Sequence, residues 1–411
     1  MRDATREIER IARLSYGRLV ASLSFRVGSI ARAEDALSEA LMRALDVWER
    51  QGVPKNPEGW LLRTARNKAV DDRRSEARAE TYRTEIEMLL ESHIEDGQTG
   101  IEDPRIRLMF ACAHPAIEPR IRAPLMLQTV LGLDSRRIAS VYLMSPGTLG
   151  QRLTRAKAKI EQSGIPLTLP SEHKEYEARL DDILTAIYAA YAVGANGFGS
   201  GDAKATNLAS EALWLISTVC AALPSAAEAH GLFALILFTE SRRNARFDAV
   251  SNTFIPLQQQ DVNLWNSEMI RDAEQALRNA QSNLSLGRFQ LEASIQAVHA
   301  ARQTSGYSDW AALQTLYRGL VKISPTVGAL TSQAAAEAET GGPEVGLQFL
   351  DRIDPRLRET YQPWHATRAH LLSKQGQTEA ALSSFDSAIG LSNDPSERAY
   401  LMAEKAKLPR S

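Results

Sequence analysis

The chain has 411 residues, more than one hydrophobic core usually organises, so two or three domains are expected. Its 44% hydrophobic and 24% charged content is that of a soluble globular protein, and two cysteines, Cys112 and Cys220, exclude a disulfide scaffold and a thiolate metal site. Residues 1–170 carry 27 Lys and Arg against 23 Asp and Glu, and residues 171–411 carry 21 against 27, which excludes the second half as a nucleic-acid surface.

The N-terminal stretch MRDATREIERIARL is charged and periodic, unlike a signal peptide. Residues 5–27 read as one amphipathic helix, with Ile8, Ile11, Leu14, Leu19 and Leu23 near one face and Gly28 and Ser29 as its stop. Residues 33–49 read as a second helix, whose apolar face is Ala36, Leu37, Ala40, Leu41, Ala44, Leu45 and Trp48. Its start is acidic, with Glu34, Asp35 and Glu39, which also suits the positive end of a helix dipole. A proline loop follows and holds Lys55 and Asn56. Residues 58–78 read as a third helix, where Trp60 and Asn67 share one segment with Arg63, Arg66, Lys68, Arg73, Arg74 and Arg78. Cations that follow a backbone and a flat ring that stacks on a base suit single-stranded nucleic acid. A core role for Trp60 is the plainer reading. Residues 79–103 are polar and acidic, without strong period, and read as a linker.

Helices follow at Pro104 to His114 and Pro119 to Val130. Residues 133–160, LDSRRIASVYLMSPGTLGQRLTRAKAKI, then read as two short helices joined at Met144 to Gly147. Asp134 caps the first, whose apolar positions are Ile138, Ala139, Val141 and Leu143. Ser145 caps the second and Pro146 is its first residue, where a missing N–H costs nothing. Leu149, Leu153 and Ala156 make one apolar face. Ser145, Thr148, Gln151, Arg152, Thr154, Arg155 and Lys157 fall elsewhere, and no acid lies between Ser145 and Ile160. That is the pattern of a helix-turn-helix, whose second helix enters a major groove. A helical hairpin with a solvated basic face is the alternative.

From Glu172 alanine rises and helical periodicity runs almost to the end, with helices near 174–193, 206–222, 225–241, 266–282, 289–302, 308–322, 326–339, 344–351, 361–375, 378–391 and 395–406. Ala369, Leu372, Ala381, Phe385 and Ala388 approach the spacing of a tetratricopeptide helix pair, so residues 172–411 read as an α-solenoid-like array. Arg246 to Trp265 reads as an ordered loop. There is no phosphate-binding glycine loop, nucleophile elbow or metal-ligand cluster, so neither an enzyme nor a cofactor or metal site is expected. No stretch is long enough for a membrane span.

The words AEDALSEALMRAL and NPEGWLLRTARNKAVD, followed by the helix-turn-helix at 133–160, resemble the extracytoplasmic-function (ECF) sigma factors of bacterial RNA polymerase, of the sigma-70 family. ARFDAVSNTFIPLQQQDVNLW, GRFQLEASIQAVHA, SDWAALQTLY and YQPWHATRAHLL resemble the tetratricopeptide-like extension of one subgroup. The resemblance implies an all-α fold with sigma region 2 over 1–80, a linker over 81–103, region 4 over 104–168 and the extension over 172–411. It implies core RNA polymerase and promoter DNA, duplex and melted, as partners, in the cytoplasm. Glu34, Asp35, Glu39 and Arg43 would dock on the clamp of the largest subunit. Lys55, Asn56, Trp60, Arg63, Arg66, Asn67, Lys68, Arg73 and Arg74 would hold the minus-10 element. Ser145, Thr148, Gln151, Arg152, Thr154, Arg155 and Lys157 would read the minus-35 element, with region 4 near the flap of the second-largest subunit. The extension is expected to regulate activity, by packing on the promoter-binding domains or on a protein partner. The alternative is a helix-turn-helix regulator with an effector array, which leaves the acidic second helix and the Trp-bearing third without a purpose.

Overall fold

A computed structural model describes residues 2–79, 103–142, 144–169, 173–196, 203–281 and 286–409. The linker expected over 81–103 lies almost wholly outside them. Helices make up the fold, and the described residues contain no strand, only an isolated bridge between Phe247 and Phe254. Two compact units divide at Ala222 and Leu223.

The first unit opens with α1 (Arg2–Leu14) and α2 (Tyr16–Val27), where one continuous helix was expected. The break is at Ser15, which is 5% exposed and donates its hydroxyl to Glu58. That bond ties the junction to a later helix and turns Leu14 outward, so Leu14 is 45% exposed and does not join the core face. Gly28 ends α2, and α3 (Ile30–Gln51) starts three residues earlier than its periodicity suggests. The Ser29 side chain, accepting from Arg32 N–H, caps it. Ala33, Ala36, Leu37, Ala40, Ala44 and Trp48 bury the inner face of α3 against Ile8, Ile11, Leu19 and Leu23. Leu45, expected on that face, is 43% exposed. Helix α4 (Pro57–Ala79) adds Leu61 and Ala65 to the same core.

Helices α5 (Pro104–Cys112), α6 (Pro119–Thr129), α7 (Ser135–Val141) and α8 (Pro146–Gln162) follow. Asp134 caps α7 by accepting from the N–H groups of Arg136 and Arg137. Ser145 caps α8 by accepting from Thr148 N–H, with Pro146 at its first position. Leu149, Leu153, Ala156 and Ile160 are buried beneath α8, and Ile138 and Ala139 beneath α7. The Val141 side chain and Leu143 lie outside the described residues.

Helices α9 (His173–Asn196) and α10 (Ala203–Ala222) belong to this first unit; α9 packs on α5 and α6, and α10 packs on α9 and meets Arg105 of α5. Arg122 pairs with Asp182 at 2.8 Å, and the buried Arg179 donates to the Phe110 carbonyl at 3.3 Å. Arg105, 7% exposed, bonds Asp103 and Glu211 and lies 4.2 Å over the Trp214 ring. Tyr176 meets Phe110 edge-on at 5.0 Å.

The second unit is a run of helix pairs. It opens with α11 (Ala227–Glu240), buried along most of its length because it carries Leu232, Leu235, Ile236, Leu237 and Phe238 all round. Helices α12 (Ser267–Gln281) and α13 (Arg288–Ala300) pack on it. The approach to α13 is backbone-close, and a Cβ at Gly231 would stand 2.7 Å from the Gln290 nitrogen. The Glu228 carboxylate accepts from Phe289 and Gln290 N–H and so caps α13 from a neighbouring helix. The loop between α11 and α12 is ordered by Arg302, which donates to Gln260 O and Gln258 Oε1. After a single turn, α14 (Arg302–Ser305), come α15 (Trp310–Ile323), α16 (Val327–Gly341) and α17 (Pro343–Asp351). Another single turn, α18 (Pro355–Arg358), leads to α19 (Gln362–Lys374), α20 (Thr378–Leu391) and α21 (Pro395–Ala406). The pair α19–α20 buries Ala369, Leu372, Ala381, Phe385 and Ala388, all within 5% exposure.

Candidate nucleic-acid interface

The turn between α7 and α8 ends at Ser145, which caps α8, and Pro146, its first residue. Ser145, Thr148, Gln151, Thr154 and Arg155 are exposed there. Ser145 donates its hydroxyl to Thr148 Oγ1 at 2.8 Å while accepting from Thr148 N–H, so both are engaged in capping. Thr154 donates to the Gly150 carbonyl, which leaves its methyl and its oxygen lone pairs outward. Arg152 reaches Glu118 at 3.7 Å across a cleft of about 430 Å³ beside the start of α6. Arg155 and Lys159 line the same cleft over an apolar floor of Ile117, Ile121 and Ala156.

Lys157 is placed differently from the other expected minus-35 residues. Its side chain is 11% exposed, and Nζ contacts Glu34 Oε2 at 2.6 Å. Glu34 is one of the four residues expected to dock on polymerase. A second expected docking residue, Glu39, pairs with Lys68 of α4 at 3.2 Å. Asp35 and Arg43 are exposed on α3.

In the expected minus-10 set, Lys55 is exposed, and Asn56 Oδ1 accepts from Gly59 N–H at 2.9 Å, so Asn56 caps α4. Arg63, Arg66 and Asn67 are exposed along α4. Trp60 is half-buried and meets the buried Trp48 edge-on at 5.4 Å, so in this structure its ring is part of the core of the first four helices. Arg73 and Arg74 lie on the helical backbone of α4, and their side chains are outside the described residues. Sequence spacing did not reveal Glu118, Glu161 or Asp182, because each acts on a cation from another helix.

The two cysteine thiols are inert by burial, which pushes each up to about 12. Burial, with Glu34 and Asp35 close by, likewise pushes the Tyr16 hydroxyl up to about 12. Among the described residues, no group of three or more His, Cys, Asp or Glu could hold a metal ion. No described helix is long and apolar enough to cross a membrane.

Two family descriptions match the chain: sigma-70 region 2 over residues 13–79, and a family of unknown function, DUF6596, over residues 179–281. An uncharacterized protein of Rhizobium meliloti (strain 1021) is 34% identical over 376 residues, covering 90% of this chain and 88% of that protein. A probable ECF RNA polymerase sigma factor, SigI, of Mycobacterium tuberculosis is 28% identical over 162 residues, covering 37% of this chain and 54% of that protein. No solved structure matches. The region 2 match covers the core built by α2, α3 and α4, and the DUF6596 match begins within α9. The chain therefore belongs to the sigma-70 family, as an extracytoplasmic-function sigma factor with a helical C-terminal extension.

Proposed function

We propose that this sigma factor directs core RNA polymerase to a particular set of promoters, with α8 reading the minus-35 duplex and α4 with its preceding loop holding the melted minus-10 strand. The observation that carries this reading is the exposed row Gln151, Thr154 and Arg155 on a helix that Ser145 caps and that carries no acidic side chain before Glu161. Side chains at the start of such a helix reach base edges, whereas Arg63, Arg66 and Lys55 suit phosphates. Asp35, Glu39 and Arg43, with the exposed Met42 and Leu45 beside them, are the face of α3 offered to the polymerase clamp. The flap of the second-largest subunit is the partner of the helix-turn-helix unit. The helical extension regulates this activity.

Run-off transcription with core polymerase and a promoter library tests both parts. Core-dependent initiation from a shared sequence motif is expected, and faster initiation by a chain ending at Ala222 is expected if the second unit restrains the first. Duplex binding that core polymerase neither needs nor improves would instead favour a helix-turn-helix regulator.

A further inference from the structure

The loop before α4 is the part of the proposed minus-10 site with the least structure of its own. Among the described residues, Val53, Pro54 and Lys55 take part in no backbone–backbone hydrogen bond. The loop is fixed at its two ends. At the first, Gly52 N–H donates to the Trp48 carbonyl and closes α3. At the second, Asn56 caps α4: its Oδ1 accepts from Gly59 N–H and its carbonyl accepts from Trp60 N–H. Gly59 makes that cap possible, since a Cβ there would stand 2.7 Å from Asn56 Nδ2. The position of Lys55 and Asn56 therefore follows the position of the first turn of α4.

That turn is gripped from two sides. Residues two apart on a helix point to nearly opposite sides of its axis. Trp60 rests edge-on against the buried Trp48. Glu58 reaches the junction of α1 and α2, and its two carboxylate oxygens serve two partners. Ser15 donates its hydroxyl to Oε1 at 2.5 Å, and the Arg18 guanidinium, in the first turn of α2, bonds Oε2. Arg10 of α1 also attracts this carboxylate. An acid in the first turn of a helix suits the dipole without any partner. Here it is tied to a serine only 5% exposed, where water does little to weaken the bond.

We propose that Ser15 and Arg18 are positioning residues for the loop Val53 to Asn56: through Glu58 they fix the first turn of α4, and so hold the loop in the one pose that selects an unpaired base. This rests on the sigma-factor reading above, and neither residue touches DNA in it. Without the anchor the first turn keeps one grip of two and frays, as helix ends do. Lys55 and Asn56 then sample several positions, and a base beside them is no longer distinguished. The exposed Arg63 and Arg66 of α4 still hold phosphates, which carry no sequence information. The signature is a loss of preference confined to the position the loop meets.

The test uses holoenzyme formed from core polymerase and the full chain. Its probes are a fluorescent single-stranded oligonucleotide with the minus-10 sequence recovered by run-off transcription, and versions of it changed at one base each. Wild type should lose about tenfold in affinity on a change at the position the loop meets. Arg18→Gln and Ser15→Ala should each shrink that loss severalfold, with discrimination at the other positions and affinity for core polymerase as in wild type. Arg18 is half exposed, so its replacement leaves the core alone. Glu58→Gln keeps an acceptor for Ser15 but no charge for Arg18, and should behave as Arg18→Gln does. Arg18→Lys keeps the charge and should restore most of the preference. Circular dichroism verifies that the variants keep their helices. Wild-type discrimination in both Arg18→Gln and Ser15→Ala would overturn the inference. So would an equal loss at every position, the mark of a unit that is merely destabilised. Wild-type holoenzyme that discriminates at no position would count against the sigma-factor reading itself, and the inference would fall with it.

Discussion

Single side chains carry two separate consequences, one in each unit. In the first, Arg155 is exposed beside Gln151 on α8, whereas Arg152 is drawn toward Glu118. Arg155→Ala should therefore relax promoter preference at one or two base pairs at a cost of about 1–3 kcal/mol, the worth of a good bidentate base contact. A selection from a randomised minus-35 duplex, sequenced for wild type and variant, checks this, and an unchanged motif would remove Arg155 from base readout. In the second unit, His299 is 7% exposed and meets Trp310 edge-on, and burial, with Arg242 and Arg302 nearby, pushes it down to about 4. The unfolded chain protonates its histidines near 6.5, so between those values the unfolded state binds the extra proton. Stability from this group is thus full above about pH 6.5 and is lost as pH falls toward 4, by about 3 kcal/mol in all. His299→Gln should flatten that part of the stability profile in urea titrations from pH 7 to pH 4.

Among the helices, α9 and α10 make the largest difference to how the chain is cut into working parts. Their composition belongs to the alanine-rich second half, and the sequence assigned them there. Their packing belongs to the helix-turn-helix unit, through Arg122–Asp182, Arg105–Glu211, Arg179 on the Phe110 carbonyl, and Tyr176 on Phe110. Removing them would uncover the apolar surface they bury, Phe110 included, and would take Asp182 from Arg122 and Glu211 from Arg105, at about 1.5–3 kcal/mol for each large apolar side chain exposed. A chain ending at Leu169 should consequently unfold at several kcal/mol lower stability than one ending at Ala222, as denaturant titration would show. Equal stability would mean that the hairpin merely rests on the unit. Any comparison of activity with and without the extension is therefore best made at Ala222.

Across the whole molecule, most of what was legible in the sequence was local. Helix positions in the extension, from 173–196 through 395–406, follow from the 3.6-residue period of their apolar residues, and their observed bounds differ by only a few positions. The caps at Asp134 and Ser145 follow from chemistry within three residues. The family follows from words such as AEDALSEALMRAL, which lie within the stretch that matches sigma-70 region 2. The break at Ser15 was not legible, since nothing near it announces a bond to Glu58, 43 residues on. A core role was the plainer reading of Trp60, but its edge-on partner Trp48 was not legible. Lys157 and Glu34 read as two separate contact residues for two separate partners, and only tertiary structure puts them 2.6 Å apart. The reason is physical: periodicity, caps and turns depend on neighbours along the chain, so sequence determines them. Which charge meets which, and which helix a hairpin serves, depend on side chains far apart in sequence, so folding decides them.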